Sequence, residues 1–189
     1  MKPYLAAALV LTLSAGAALA QAPKSGFRAE FLNEMAGLEK RVVSLAEQMP
    51  ADKYTWRPGE GVRSVSEVFL HIAGANFSIP RMFGTPPPEG LNPRGYDTST
   101  TDKAKIVEAL KQSFAHVRQA GMNVSDADVD KPIKLLGSDS TYRGAMMFIA
   151  RHLGEHLGQS IAYARMNGVT PPWTEEAQQR QRQQQKKSQ

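Results

Sequence analysis

Residues 141–167 run TYRGAMMFIARHLGEHLGQSIAYARMN, and Gly168 and Pro171-Pro172 follow them. The stretch predicts one long helix from about Thr141 to Asn167. Gly168 is placed to cap its C-terminus, and the two prolines stop any continuation. Inside it stands His152-Leu153-Gly154-Glu155-His156. Four residues advance about 400° along an α-helix, so the two imidazoles sit about 40° apart and one turn apart on one face. Gln159 and Tyr163 continue that face, at about −20° and +20° from His152. The spacing lets both rings reach a single ion, and the face is expected to point into the protein.

Three more helices follow from periodicity upstream. Phe27, Phe31, Met35, Leu38, Val42, Leu45 and Met49 recur at steps of three and four, which gives a helix from about Gly26 to Gln48, ended by Pro50. Ser64 and Glu67 have the spacing of a capping box at the start of a helix from about Val65 to Phe83. Pro80 is placed to kink it or end it early. Ile106, Leu110, Phe114 and Val117 line a helix from about Asp102 to Ala120, closed by Gly121. The segment Thr85 to Thr101 is rich in Pro, Gly, Asn, Ser and Thr, and reads as a long loop that serves as a connector or a lid. A second loop covers Met122 to Ser140, with Ile133, Leu135 and Leu136 as a short extended piece against the core. There is no internal repeat and no strand-like alternation of any length. An all-α four-helix bundle is therefore the expected fold class.

The N-terminus lies outside that pattern. Lys2 precedes an uncharged run from Leu5 to Ala20, which closes on Ala18-Leu19-Ala20. This predicts a signal peptide over residues 1–20, cleaved before Gln21, and a periplasmic or secreted protein. The run is shorter than the roughly 20 residues of a membrane-spanning helix, and no later segment is apolar enough to span a bilayer. The chain has no Cys, which excludes disulfides, a lipidated N-terminus and a thiol nucleophile. Residues 21–173 are expected to form the domain, and residues 174–189 a disordered Gln-rich basic tail. That tail carries four cations against two acids, so about +2 of the formal +5 belongs to it and one further charge to Lys2. The remaining charge, about +2, is too small to argue for a nucleic-acid partner.

His71 lies one turn after Glu67, among Val68, Phe69 and Ile72. On its own it reads as a core or boundary histidine. A bundle, however, brings inward-facing side chains of different helices together, and three neutral imidazoles with an open position are the ligand set of a catalytic zinc-type site. The stretch Trp56-Arg57-Pro58, Gly61-Val62-Arg63-Ser64-Val65, Glu67 and His71 resembles the DinB-like superfamily. So does His152-x-x-x-His156-x-x-Gln159, followed by Tyr163-x-Arg165-x-Asn167-Gly168 and Pro171-Pro172. The resemblance covers about residues 27–173. It implies an up-down-down-up four-helix bundle, a metal held by His71, His152 and His156, and a homodimer as a common assembly. Characterised members include thiol-dependent S-transferases and a mycothiol-dependent isomerase, typically cytoplasmic, whereas the N-terminus here predicts export.

The remaining polar residues carry their own expectations. Gln159 and Tyr163 are candidates to orient an exchangeable ligand. Glu67 caps its helix or orients His71. His152-x-x-Glu155-His156 also matches the inverted zinc-protease signature, but after His156 the only acids are Glu175 and Glu176 in or near the tail. His116 points away from the apolar face of its helix and is expected to meet solvent. Trp56 is expected to pack under the first loop. Imidazole suits several metals, so zinc is the expected ion, with nickel or iron as alternatives. The expected function is a metal-dependent transferase, isomerase or hydrolase acting on a small molecule; the alternative is a non-catalytic periplasmic metal-binding module.

Overall fold

The apolar stripe of the first helix is buried as its period requires. Phe31, Met35, Leu38, Val42, Leu45 and Met49 are all under 10 % exposed. The computed structural model describes residues 23–187; the expected signal peptide, residues 1–20, lies outside them, as do Ser188 and Gln189. Helix α1 spans Phe27–Gln48, α2 Val65–Ser78, α3 Lys103–Asn123, α4 Tyr142–Met166 and α5 Pro172–Lys187. The chain is mostly helical. Helix α1 packs on α3 and α4, and α2 packs on the same two helices. Ile106, Leu110, Phe114 and Val117 from α3 and Met146, Ile149 and Leu153 from α4 fill the space between, none of them measurably exposed. Each such large side chain contributes about 1.5–3 kcal/mol by leaving water.

Helix α2 starts where the sequence says it should. Ser64 Oγ accepts from the Glu67 backbone N–H at 3.3 Å, and the Ser64 N–H donates to Glu67 Oε2 at 2.7 Å. Its end is earlier than the expected Phe83: α-helix stops at Ser78 and a 3-10 turn covers Ile79–Phe83, because Pro80 has no N–H to continue the ladder. Helix α3 runs past the expected end. Gly121 lies inside it rather than capping it, and serves packing instead. A Cβ there would meet Phe31 Cε1 at 3.0 Å and Leu32 Cδ2 at 3.1 Å, so glycine is what lets α1 come this close.

Two further expectations are corrected. The second loop contains an antiparallel hairpin, β1 Pro132–Leu135 and β2 Ser138–Thr141, with Ile133 opposite Ser140. Its two-residue turn, Leu136-Gly137, has φ of 50° and 88°, the double left-handed geometry that closes tight hairpins. Ile133 packs against the core as expected, but Leu136 is 75 % exposed at the turn. A leucine in left-handed backbone is strained by about 1 kcal/mol or more. Leu136→Asn is expected to raise the midpoint of thermal unfolding by about 2–4 °C, measured by circular dichroism. No rise, or a fall, would mean that the Leu136 side chain holds the turn.

The expected disordered tail is helical through Lys187. Pro172 occupies the first turn, where a missing N–H costs nothing. Glu175 stands in the first turn and Lys186 and Lys187 in the last, each matched to the helix dipole. Glu176 and Arg180 pair at 3.7 Å across one turn. The helix buries no residue completely, and Trp173 anchors its start against α1, under the Arg41 guanidinium.

Candidate metal centre

His71 from α2 meets His152 and His156 from α4. The two Nε2 atoms of His71 and His152 stand 3.1 Å apart. Ring centroids are 5.1 Å apart for His71 and His152, 4.6 Å for His71 and His156, and 4.5 Å for His152 and His156. One nitrogen from each ring lies within 4.8 Å of the other two. Two nitrogens on a tetrahedral zinc, each about 2.0–2.1 Å from the metal, stand about 3.3 Å apart, so the observed pair is a few tenths of an ångström from ligand spacing. The donor set therefore fits a divalent ion of the zinc type. Among the described residues this is the one group of three or more His, Cys, Asp or Glu side chains that could hold a metal.

The site is shallower than the sequence suggests. Leu153 and Leu157 carry the buried stripe of α4, and all three histidines sit beside it, half-buried. A rim position leaves one side of the cluster open. Partial burial still acts on charge. Loss of water holds the His71 and His152 imidazolium forms down, to a pKa of about 4 in each case, and the charge of His156 lowers both further. Arg63 adds to the effect on His71. Neutral rings are the form that ligates a metal.

A chain of hydrogen bonds fixes His156. Gln159 Oε1 can only accept, so His156 Nδ1 carries the proton and donates to it at 2.9 Å. That leaves Nε2 with a free lone pair. Gln159 Nε2 donates to Tyr163 Oη at 3.1 Å, and the Tyr163 hydroxyl donates to the Arg63 carbonyl at 3.1 Å. Trp56 packs its ring edge-on against Tyr163, with centroids 5.3 Å apart. Gln159 and Tyr163 thus stand in line behind the His156 ring. The i, i+4, i+7, i+11 spacing was visible; the partner at Arg63, 100 residues away, was not.

Glu67 does not reach His71. Its carboxylate holds the Ser64 N–H and Arg57 Nη2, at 2.7 and 3.0 Å, and these bonds keep its pKa below the usual carboxylate range. Glu155 pairs with Arg151 on the exposed side of α4 and stands outside the cluster, and Glu175 and Glu176 lie on α5; among the described residues the protease signature finds no acidic third ligand. His116 corrects another expectation. It is half-buried, with its ring 5.7 Å from Phe77, and its Nε2 finds no hydrogen-bond partner among the described residues. Helix α2 covers the flank of α3 that the sequence left to solvent.

Sequence reasoning missed two neighbours. Asp97, in the 3-10 turn Tyr96–Thr98 of the long loop, reaches Arg63 Nε at 3.5 Å, and its charge is felt at His71. Phe148 stacks on His152 one turn earlier, with centroids 6.2 Å apart. Arg63 directly precedes the capping Ser64, which was the available signal for it.

The metal-free protein is expected to lose stability as pH falls from 6.5, the ordinary histidine value, toward about 4. In that window the unfolded chain takes up protons that folded His71 and His152 refuse, so protonation favours unfolding. Thermal midpoints of chelator-treated protein at several pH values would check it. The slope in that window should flatten in the His71→Ala, His152→Ala double variant. A wild-type profile already flat there would contradict the burial of these rings.

Comparison with known proteins gives the same outline. The family described as the DinB superfamily matches residues 35–160. Among solved structures, a DinB-like protein from Bacillus cereus is similar at 17% identity and a TM-score of 0.67, covering 75% of this chain and 93% of its own. A DinB-like protein from Bacillus subtilis is similar at 20% identity and 0.60, over 75% and 93%. A conserved protein from Enterococcus faecalis is similar at 13% identity and 0.60, over 75% and 96%. At these identities the likeness concerns the fold alone. No curated protein matches the sequence.

Proposed function

Because the chain belongs to the DinB superfamily, we propose that it is an exported protein holding one divalent ion through His71, His152 and His156 and using it on a small molecule. The convergence of three imidazoles from two helices, with His156 oriented by Gln159, carries this reading. The packing of α1 and α2 each on α3 and α4 supports an up-down-down-up bundle as its frame. Zinc is the preferred ion, with nickel or iron next. When bound, such an ion lowers the pKa of a water or thiol and polarises a carbonyl. The protein's own part is to keep the His71 and His152 rings neutral, fix the His156 tautomer through Gln159 and Tyr163, and leave the solvent side of the cluster open. The reaction class is a transfer, isomerisation or hydrolysis.

One observation favours a second reading. Every acid near the cluster is already engaged: Glu67 in its cap, Glu155 with Arg151, Asp97 with Arg63. Among the described residues no unpaired carboxylate stands beside the cluster as a base, which suits a metal-binding module without catalysis.

Elemental mass spectrometry on untagged protein isolated from the host envelope tests both. Close to one ion per chain, with Gln21 as the first residue, supports an exported metalloprotein. A chain that stays empty after exposure to zinc, nickel and iron would sink the metal reading, and an N-terminal Met1 would sink the expected cleavage before Gln21. Turnover of thiol-transfer or hydrolysis substrates by the loaded protein then separates enzyme from module.

A further inference from the structure

A second candidate site lies where α2 ends. A cleft of about 510 Å³ is lined by Ser78, Arg81, Pro87, Asn92, Pro93 and Arg94. None of these residues belongs to the histidine cluster. Ser78 and Arg81 come from the end of α2 and the 3-10 turn after it, and the other four from the long loop.

The polar lining is biased toward donors. Neither guanidinium has an ion-pair or hydrogen-bond partner among the described residues. Arg57, Arg63, Arg143 and Arg151, by contrast, each have a carboxylate. Asn92 turns its Oδ1 onto the Arg94 N–H at 3.0 Å, which leaves its Nδ2 donor unused. Ser78 spends its hydroxyl proton on the Gly74 carbonyl at 2.6 Å. No acid lines the cleft.

Its walls are stiff. Pro87 and Pro93 fix the loop on one side. The Thr85 N–H donates to the Pro80 carbonyl at 3.1 Å, which ties the start of the loop to the turn that carries Arg81. Tyr96 packs on Gly74, 3.5 Å from where a Cβ would stand, which ties the stretch after Arg94 back to α2. The backbone that carries the two arginines is therefore fixed on both elements, while the exposed guanidinium ends remain free to close on a ligand.

We propose that this cleft binds phosphate or a phosphate monoester. A tetrahedral group offers each guanidinium its own oxygens, whereas a single carboxylate has only two to share. The site does not depend on the metal. Ser78 lies seven residues after His71, so the cleft opens on nearly the same face of α2, roughly 10 Å further along its axis.

Titration calorimetry of the full chain with inorganic phosphate and with glycerol phosphate, against chloride at matched ionic strength, tests it. Saturable binding of one anion per chain is expected, weakened about tenfold or more by Arg81→Gln or Arg94→Gln and less by Arg81→Lys. Tighter binding of glycerol phosphate would assign the site to an ester, and of inorganic phosphate to the free anion. Arg182→Gln on α5 and His152→Ala should bind as wild type does. Three results would each overturn the proposal: no saturable heat into the tens of millimolar, wild-type binding by both Gln variants with unchanged helical circular dichroism, or loss in His152→Ala, which would put the anion on the metal instead. Succinate binding as tightly as phosphate would overturn the phosphate assignment.

Discussion

Replacing His152 by alanine is expected to abolish stoichiometric metal binding while leaving the helices intact. His152 Nε2 stands 3.1 Å from His71 Nε2, so its loss opens one side of the cluster. Metal sites of four ligands bind with roughly 10–16 kcal/mol, so each ligand carries about 2.5–4 kcal/mol and its loss costs roughly two to three orders of magnitude in affinity. His71→Ala and His156→Ala should do the same. Wild type in excess metal should also gain stability, about 4 kcal/mol at a thousandfold excess over Kd, or roughly 8–16 °C in the unfolding midpoint. The alanine variants should show almost none of that gain. Equal metal content in wild type and all three variants would mean that the ion, if present, sits elsewhere.

The second large effect concerns a residue that touches no ion. Gln159→Leu keeps the volume but removes the acceptor for His156 Nδ1–H, 2.9 Å away, and the donor to Tyr163. His156 is then free to carry its proton on the nitrogen that faces the cluster. Loss of such an outer partner typically costs 10–100-fold in metal affinity, and that range is expected here. Tyr163→Phe should cost less, since Gln159 itself remains. Competition with a chelator of known affinity would measure both. Wild-type affinity in Gln159→Leu would show that the ring is held by packing against His71 and His152 alone. Nitrogen NMR shifts of the His156 ring would report the tautomer directly and separate this effect from a loss of fold.

The parts of this arrangement that repeat along the chain were legible in the sequence. The stripe from Phe31 to Met49, the capping box at Ser64 and Glu67, and the paired rings at His152 and His156 all follow from 3.6-residue periodicity. What escaped depends on contacts between distant segments. Gly121 reads as a helix stop until Phe31 is seen against it. His116 reads as exposed until α2 covers it. The hairpin strands are four residues each and largely polar, too short to show alternation. The last helix is specified by charges at its ends and i, i+4 pairing, signals that a composition dominated by Gln obscures. The roles of Gln159 and Tyr163 required the Arg63 carbonyl, and Arg63 in turn required Asp97 from the long loop.

The separation between His71 and His152 along the chain, 81 residues, also orders events in time. His152 and His156 can meet an ion as soon as their own helix forms, because they are four residues apart. His71 can join only after a large loop has closed, a step whose entropic cost the growing core must first offset. An ion held by all three rings is therefore captured in two stages, loosely by the local pair and firmly only once the fold is complete. For the exported metalloprotein proposed above, the metal would be chosen in the compartment where folding finishes, not in the one where the chain is made.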